Sequence, residues 1–303
     1  MGRRSREPRW RFLTHNACGL KSDGVRFDGY VEWARTRAVF AAALQETWME
    51  GGKVLEKMDD YPGWTLLRHG LKNKVCARGS QGVGILLSPV ATKGWEEAGT
   101  QLNSYGDRVA STRIKVKDGR GRPLTLYMVS AYAPLSSAPV AERLRYFSDL
   151  QACVDACGKK EFLMIGTDAN AALGTRRSEH DRVLGRHGVK HVNNAGKETY
   201  QFLARNDLCS PSTFFRSTTR AGKERYATWF HPNGGKGYQN DHFFMRQRDR
   251  KRVRRAMRWN GEMGAASDHM PVTLDLAIMT SVQTHDRELA EERKRIDLWK
   301  FQE

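Results

Sequence analysis

Short apolar runs recur along the whole chain, most of them closing on a polar residue, and they limit it to a fold built largely on strands. The runs are Arg11–Asn16, Val39–Gln45, Gly82–Ser88, Val109–Val116, Leu124–Tyr132, Phe162–Thr167, Asp241–Arg246 and Pro271–Leu276. Several alternate with period two, the repeat of a strand with one face in a core. Helical patterns lie between some of them. Val140–Val154 puts Val140, Leu144, Phe147, Leu150 and Val154 on one face, with Ser137 and Pro139 as its start. A second helix is expected over Lys197–Arg205. Many strands with interspersed helices predict an α/β sandwich. At 303 residues and 39% hydrophobic content, the chain can bury a substantial core.

No repeat and no Pro/Gly/Ser-rich spacer divides the sequence. One domain is expected over 10–279, behind a basic arm over 1–9. Residues 280–303 are dense in charge and space Leu289, Ile296 and Trp299 for one helical face, so an appended helix or linker is expected there.

Lys and Arg number 51 against 34 Asp and Glu, a net charge of +17. Such an excess attracts polyanions: DNA, RNA or an acidic membrane face. No run approaches the roughly 20 apolar residues that span a bilayer. No apolar signal region follows the basic start Met1–Arg6. The expectation is an intracellular protein, cytoplasmic or nuclear, without a membrane partner. Cys18, Cys76, Cys153, Cys157 and Cys209 lack metal or redox spacing and are expected to be buried reduced thiols.

Polar residues at the ends of apolar strands are where α/β proteins hold ligands. Asn16 follows a strand and precedes a Gly turn; Glu46 ends the run Val39–Leu44; Tyr132 ends a strand before Pro134. Met164–Thr167 leads into Asp168-Ala169-Asn170, Asp241 opens a strand, and Asp268-His269 precedes another. Each has an ordinary explanation by itself: a turn Asn, an exposed strand-end Glu, a core Tyr, an Asx-turn, a capping Asp. A carboxylate and an amide two residues apart can hold a water and a phosphate oxygen together, and an Asp-His pair suits metal binding or proton transfer.

Their order carries more than any one of them. Asn, Gln-Glu-Thr, Tyr-x-Pro, Asp-x-Asn, Asp and Ser-Asp-His follow one another from about Trp10 to Leu276. This resembles the endonuclease/exonuclease/phosphatase (DNase I-like) superfamily, which implies a four-layer sandwich of two mainly antiparallel sheets with helices outside. Asp168-Ala169-Asn170-Ala171, Gly185–Gly188, Asn193–Gly196, Asn206-Asp207-Leu208, Thr213-Phe214-Phe215 and Thr228-Trp229 are similar to the endonuclease domains of LINE-type (non-LTR) retrotransposons. Repair enzymes of the superfamily usually carry a metal-linked Asp two residues after the first Asn; here Cys18 stands there. Asn240 is a second departure, since an apolar residue usually precedes that Asp.

The resemblance implies a divalent-metal-dependent endonuclease acting on double-stranded DNA and leaving a 3′-hydroxyl and a 5′-phosphate. Asn16, Glu46 and Asp268 would hold Mg²⁺, or Mn²⁺ in its place. Asp168 would deprotonate the attacking water and Asn170 would fix its geometry. His269, charged and supported by Asp241, would donate to the phosphate, as would Tyr132. Other readings on this fold are an abasic-site repair endonuclease and, less favoured by the basic charge, a phosphoinositide phosphatase or sphingomyelinase. A retrotransposon protein would continue into a reverse transcriptase, through which its RNA would be a further partner.

Two basic segments are expected to touch DNA. Arg246–Arg258, with Arg248, Arg250 and Arg252, falls between two candidate catalytic segments and so should lie close to the active face. Arg216–Tyr226 reads as a Gly-turned hairpin offering Arg216, Arg220, Lys223 and Arg225. Arg108 and Thr213 complete the expected contacts.

Overall fold

Every residue of the strand Val39–Gln45 is buried, so both of its faces meet protein rather than water. The reason is a layered arrangement of two sheets. The computed structural model describes residues 9–20, 25–49, 53–58, 60–70, 82–118, 121–218, 225–233, 235–259, 261 and 267–279. Residues 1–8 of the basic arm and the charged segment 280–303 lie outside them.

With strands numbered along the chain, the first sheet runs β14 (Val253–Arg258), β15 (Val272–Leu276), β1 (Trp10–Asn16), β2 (Val39–Gln45), β5 (Val83–Leu87), β4 (Thr65–His69) and β3 (Lys53–Lys57). The second runs β10 (Leu208–Cys209), β13 (Asp241–Arg246), β9 (Phe162–Asp168), β8 (Pro123–Tyr132), β7 (Val109–Asp118) and β16 (Ile278–Met279), with β6 (Asn103–Tyr105) also on β7. A separate ribbon pairs β11 (Trp229–Phe230) with β12 (Gly237–Tyr238). Neighbouring strands are antiparallel except at two places, β1 beside β2 and β8 beside β9.

One apolar layer lies between the sheets and includes Phe12, Ala43, Ile85, Met128, Met164, Phe243 and Leu274. A second, under helix α1 (Val25–Thr36), packs Tyr30, Val31 and Ala34 on Leu13, Leu44 and Leu86. A third lies under α3 (Val140–Asp155) and α4 (Asn194–Arg205), where Leu150, Cys153 and Leu203 meet Val129, Ile165 and Phe244. The result is the expected four-layer α/β sandwich, helix on sheet on sheet on helix. Helix α2 (Pro89–Glu97) starts on a Ser88 cap with Pro at its first turn. Near the centre the sheets approach closely. A Cβ on Gly166 would lie 2.5 Å from that of Ala43 and 2.9 Å from that of Thr14, so β9 needs glycine there.

Several expectations change. Helix α3 buries Tyr146, Leu150, Cys153 and Val154, while Val140 and Leu144 stay exposed. Only the C-terminal half of the expected stripe faces the sheet, and Ser137 makes no cap. Helix α4 begins three residues earlier than Lys197, because the Asn193 side chain accepts the Gly196 N–H. In the basic segment 246–258, Gln247–Arg252 is a 3₁₀ turn and Val253–Arg258 is strand β14. Cys153, Cys157 and Cys209 are buried free thiols, Cys18 is half-buried, and Cys76 lies outside the described residues.

Candidate active site

The two parallel strand pairs aim the same way. β1 and β2 end at Asn16 and Gln45, with Glu46 next in the chain; β8 and β9 end at Tyr132 and Asp168. Strand β13, antiparallel to β9, opens with Asp241 opposite Asp168. Strand β15, antiparallel to β1, opens three residues after His269. The candidate catalytic and metal residues from distant stretches of sequence therefore meet at one end of the sandwich, beyond the carboxyl ends of the parallel strands.

Asn16 is the hub. Its Nδ2 donates to Glu46 Oε1 at 2.8 Å and to Asp168 Oδ2 at 2.9 Å, joining one sheet to the other. Its Oδ1 accepts the Cys18 N–H at 3.1 Å. The Tyr132 hydroxyl donates to Glu46 Oε1 at 2.7 Å, and the Trp48 indole to Glu46 Oε2 at 3.3 Å. Asp168 Oδ1 accepts the backbone N–H of Asn170, whose side-chain amide donates to Ala133 O. Beneath them Gln45 donates to Thr14, Ser130 and Gly166 O across the two sheets.

Asp168, Asp241 and His269 form a buried acid–base cluster, with ligand-type atoms all within 4.8 Å of one another. Burial, then the facing Asp241 carboxylate, pushes the Asp168 carboxyl up to about 7. His269 Nδ1 donates to Asp241 Oδ2 at 2.9 Å. Burial alone would lower the His269 pKa, but Asp241 and then Asp168 outweigh it and push it up to about 10. These three side chains could together hold a cation, and the His269–Asp241 bond equally suits proton handling. The His269 backbone is held as well: its carbonyl accepts from His15 Nε2 and its N–H donates to Ser267 Oγ.

A second set of hard-oxygen donors adjoins Asn16. Glu46 offers a carboxylate there, and so does Asp268, which Asn16 reaches through Cys18. The Cys18 thiol donates to Asp268 Oδ1 at 2.9 Å, and the Trp229 indole donates to Asp268 Oδ2 at 2.8 Å. Burial raises the Asp268 carboxyl, but these two donors outweigh it and hold it below the usual range, in its anionic form. Burial and the Asp268 bond push the Cys18 thiol up to about 12, so it is a neutral donor and not a thiolate. Carboxylate and amide oxygens suit Mg²⁺ or Mn²⁺.

Backbone strain concentrates here. Cys18, Glu46, Trp48 and Asn170 have φ of 46°, 47°, 54° and 43°, a region non-glycine residues seldom occupy. Trp48, Trp229 and Thr228, which support the site, have no assigned role in the sequence reading. Thr228 Oγ1 accepts the N–H groups of Asn240 and Asp241. Asn240 uses its backbone twice, its carbonyl accepting from Ala169, and does not disturb the buried Asp241. Thr228-Trp229 was visible only as part of a motif; which acid it supports depends on the ribbon β11–β12.

The expected DNA contacts divide. Arg108 lies beside the site, its guanidinium 5.3 Å above the Tyr132 ring and paired with Glu142 at 2.6 Å. Arg216 and Arg225 are exposed, and the Arg225 N–H bonds to Ser217 O, so the two ends of their segment lie side by side. Arg220 and Lys223 lie outside the described residues. Thr213 is instead buried framework: its Oγ1 accepts from Gly185 N and donates to Ser210 O. Arg248, Arg250 and Arg252 do not adjoin the site. Strand β13 leads from Asp241 to Arg246, about 17 Å at a strand's rise, and Arg246 bonds to Cys157, Gly158 and Glu161 at the opposite end of β9.

No protein-family model matches the chain. It is 32% identical over 167 residues to craniofacial development protein 2 of Bos taurus, a match covering 55% of this chain and 26% of that protein. The chain thus spans about a quarter of the curated relatives it matches. An AP endonuclease, LMAP, from Leishmania major superposes with a TM-score of 0.61 at 16% identity, covering 88% of this chain and 87% of that one. The endonuclease domain of TRAS1, a telomere-specific non-LTR retrotransposon, does so with 0.53 at 15% identity, covering 88% and 98%.

Proposed function

We propose that this chain, which has the DNase I-like fold of the endonuclease/exonuclease/phosphatase superfamily, is a divalent-metal-dependent DNA endonuclease of the non-LTR retrotransposon type. The observation that carries the reading is the bonded assembly Glu46–Asn16–Asp168 beside Asp241–His269, drawn from both sheets at one end of the sandwich. The substrate is double-stranded DNA, and the products carry a 3′-hydroxyl and a 5′-phosphate.

Phosphodiester hydrolysis needs a base for the water, neutralisation of the phosphate oxygens and a stabilised leaving group. Asp168 receives the proton from the attacking water; a carboxyl poised near 7 accepts it efficiently at neutral pH. Asn16 and the Asn170 N–H keep that carboxylate oriented. His269, held charged by Asp241, donates from its remaining N–H to a non-bridging phosphate oxygen. Burial pushes the Tyr132 hydroxyl well above its ordinary range, so it keeps its proton and acts as a donor. Glu46, with Asn16 and Asp268, would hold Mg²⁺ or Mn²⁺, a cation that would supply charge neutralisation for the phosphate and the leaving oxygen.

Cys18 favours the retrotransposon type over abasic-site repair, since the repair pattern has an Asp at that position. The test is nicking of supercoiled plasmid with Mg²⁺, Mn²⁺ or EDTA, beside cleavage of an abasic-site duplex. Metal-dependent nicks in intact plasmid with ligatable 3′-hydroxyl ends are expected. Cleavage confined to the abasic duplex would select the repair reading, and no cleavage of either would overturn both.

A further inference from the structure

A cleft of about 630 Å³ opens between residues 176–186 and the 3₁₀ turn Gln247–Arg252. Arg176, Arg182, Arg186 and Arg250 line it, and all four are exposed. Among the described residues no carboxylate forms an ion pair with any of them. Four guanidinium groups against two carboxylates leave the concavity net positive, a charge that draws in an anion. Two acids also line the cleft, Glu179 and Asp181. Asp181 is occupied elsewhere: its Oδ1 accepts the N–H groups of Val183 and Leu184, and its Oδ2 accepts the Arg177 N–H and the Tyr200 hydroxyl.

The walls are preorganised. Asp181 ties the turn that carries Arg182, and the Arg177 guanidinium lies 3.5 Å above the Tyr200 ring behind it. Gly185 is pinned by Thr213, and Val183 O accepts from Ser210. Across the cleft, Arg250 stacks on the Phe214 ring at 4.2 Å. Stacking fixes a guanidinium's plane while leaving its N–H edge available, the form that suits phosphate oxygens.

We propose that this cleft is a second phosphate-binding groove, which holds the nucleic-acid backbone well away from the bond being cut. The inference rests on the endonuclease reading and gives Arg250 a place to act despite its distance from Asp168. Arginines on a rigid frame, with one aromatic face already taken by Arg250, favour the sugar-phosphate backbone over bases. A duplex held at both places must run on past the cut toward the cleft.

The test uses the whole chain in EDTA, where cleavage plays no part, and a 5′-fluorescein duplex of about 40 base pairs, long enough to run past both sites. Arg176→Ala/Arg182→Ala/Arg186→Ala is compared with Lys93→Ala/Lys115→Ala/Arg145→Ala, which removes the same charge from exposed positions elsewhere. Circular dichroism and melting confirm that both fold. The cleft variant should bind about tenfold more weakly than the control, and its log K against log salt should be shallower by about 2–3, one phosphate contact per arginine. Arg250→Ala should act in the same direction. Equal affinity and slope for the two triple variants overturn the proposal. Plasmid nicking by the unaltered protein is scored separately. A protein that does not nick but loses affinity through the cleft retires only the endonuclease reading, and one that nicks with an inert cleft retires only the groove.

Discussion

Asn16 accepts and donates at the centre of the candidate site, and its neighbours divide the chemistry between them. On the proposed reading, Asp168 takes a proton, and Glu46 and Asp268 would be oxygen donors for a cation. Asp168→Asn keeps the shape and removes the base. Cleavage should fall by about 10²–10⁴, with DNA affinity in EDTA unchanged. Folding stability should fall modestly, since both Asp168 oxygens accept, from Asn16 Nδ2 and the Asn170 N–H, and the Asn amide nitrogen must face one of those donors. Nicking rates, anisotropy and a urea melt check the three parts, and a variant that nicks at the normal rate would refute the role. Cys18→Asp sets a second carboxylate against Asp268 Oδ1. Without metal the variant should melt lower than the parent, and Mg²⁺ should restore it. Tenfold tighter binding corresponds to about 1.4 kcal/mol of added stability at saturation; equal Mg²⁺-induced shifts in parent and variant would exclude it.

Elements explain which parts of the fold were legible. Strands such as β2 and β9, buried along their whole length, stand out as apolar runs because nothing about them must face water. Helix α3 misleads because its apolar residues do two jobs: Leu150 and Val154 cover the sheet, while Val140 and Leu144 border an open groove against α4. The acids and amides at strand ends were readable as candidates, but their partners were not. Trp229 reaches Asp268 across 39 positions of sequence, and no periodicity reports such a contact. The basic turn at 247–252 shows the same limit in reverse, since adjacency in sequence to Asp241 becomes a strand's length of separation. Gly166 gives a test at this scale. Gly166→Val drives a branched side chain into Ala43 and Thr14 on the facing sheet. The cost should be at least about 1–3 kcal/mol by urea denaturation, with a loss of activity greater than the loss of folded protein, because β9 carries Asp168. Unchanged stability would mean that the sheets can part at this point.

Across the whole molecule, buried ionisable groups set a narrow pH range. Burial pushes His15 and His242 down to about 4. His242 fits the neutral form, donating from Nε2 to Gln239 O with Ser210 Oγ beside Nδ1. Between about pH 6.5 and 4 the unfolded chain takes up two protons that these rings refuse in the folded state, so stability falls as acid is added. Asp168 works against them. Its raised pKa gives the folded state one extra proton between about 4 and 7. Two rings against one carboxyl leave a net loss of stability towards pH 5, and Asp168→Asn should make that loss about twice as steep. His269, raised to about 10, acts on the alkaline side: its contribution is complete below about 6.5 and is lost as pH climbs to 10. Urea midpoints from pH 5 to 9 should therefore peak near neutrality, and a flat profile would contradict the burial of these groups.

Strand β15 lies between β14 and β1, although β1 opens the described fold and β15 nearly closes it. A chain emerging from a ribosome therefore cannot complete the first sheet until residues 272–276 arrive. Asp268 and His269 emerge just before that strand. On the endonuclease reading, a nascent chain should thus stay harmless to the nucleic acid around it until synthesis has passed the whole domain, so cutting power would switch on once, late and together with folding.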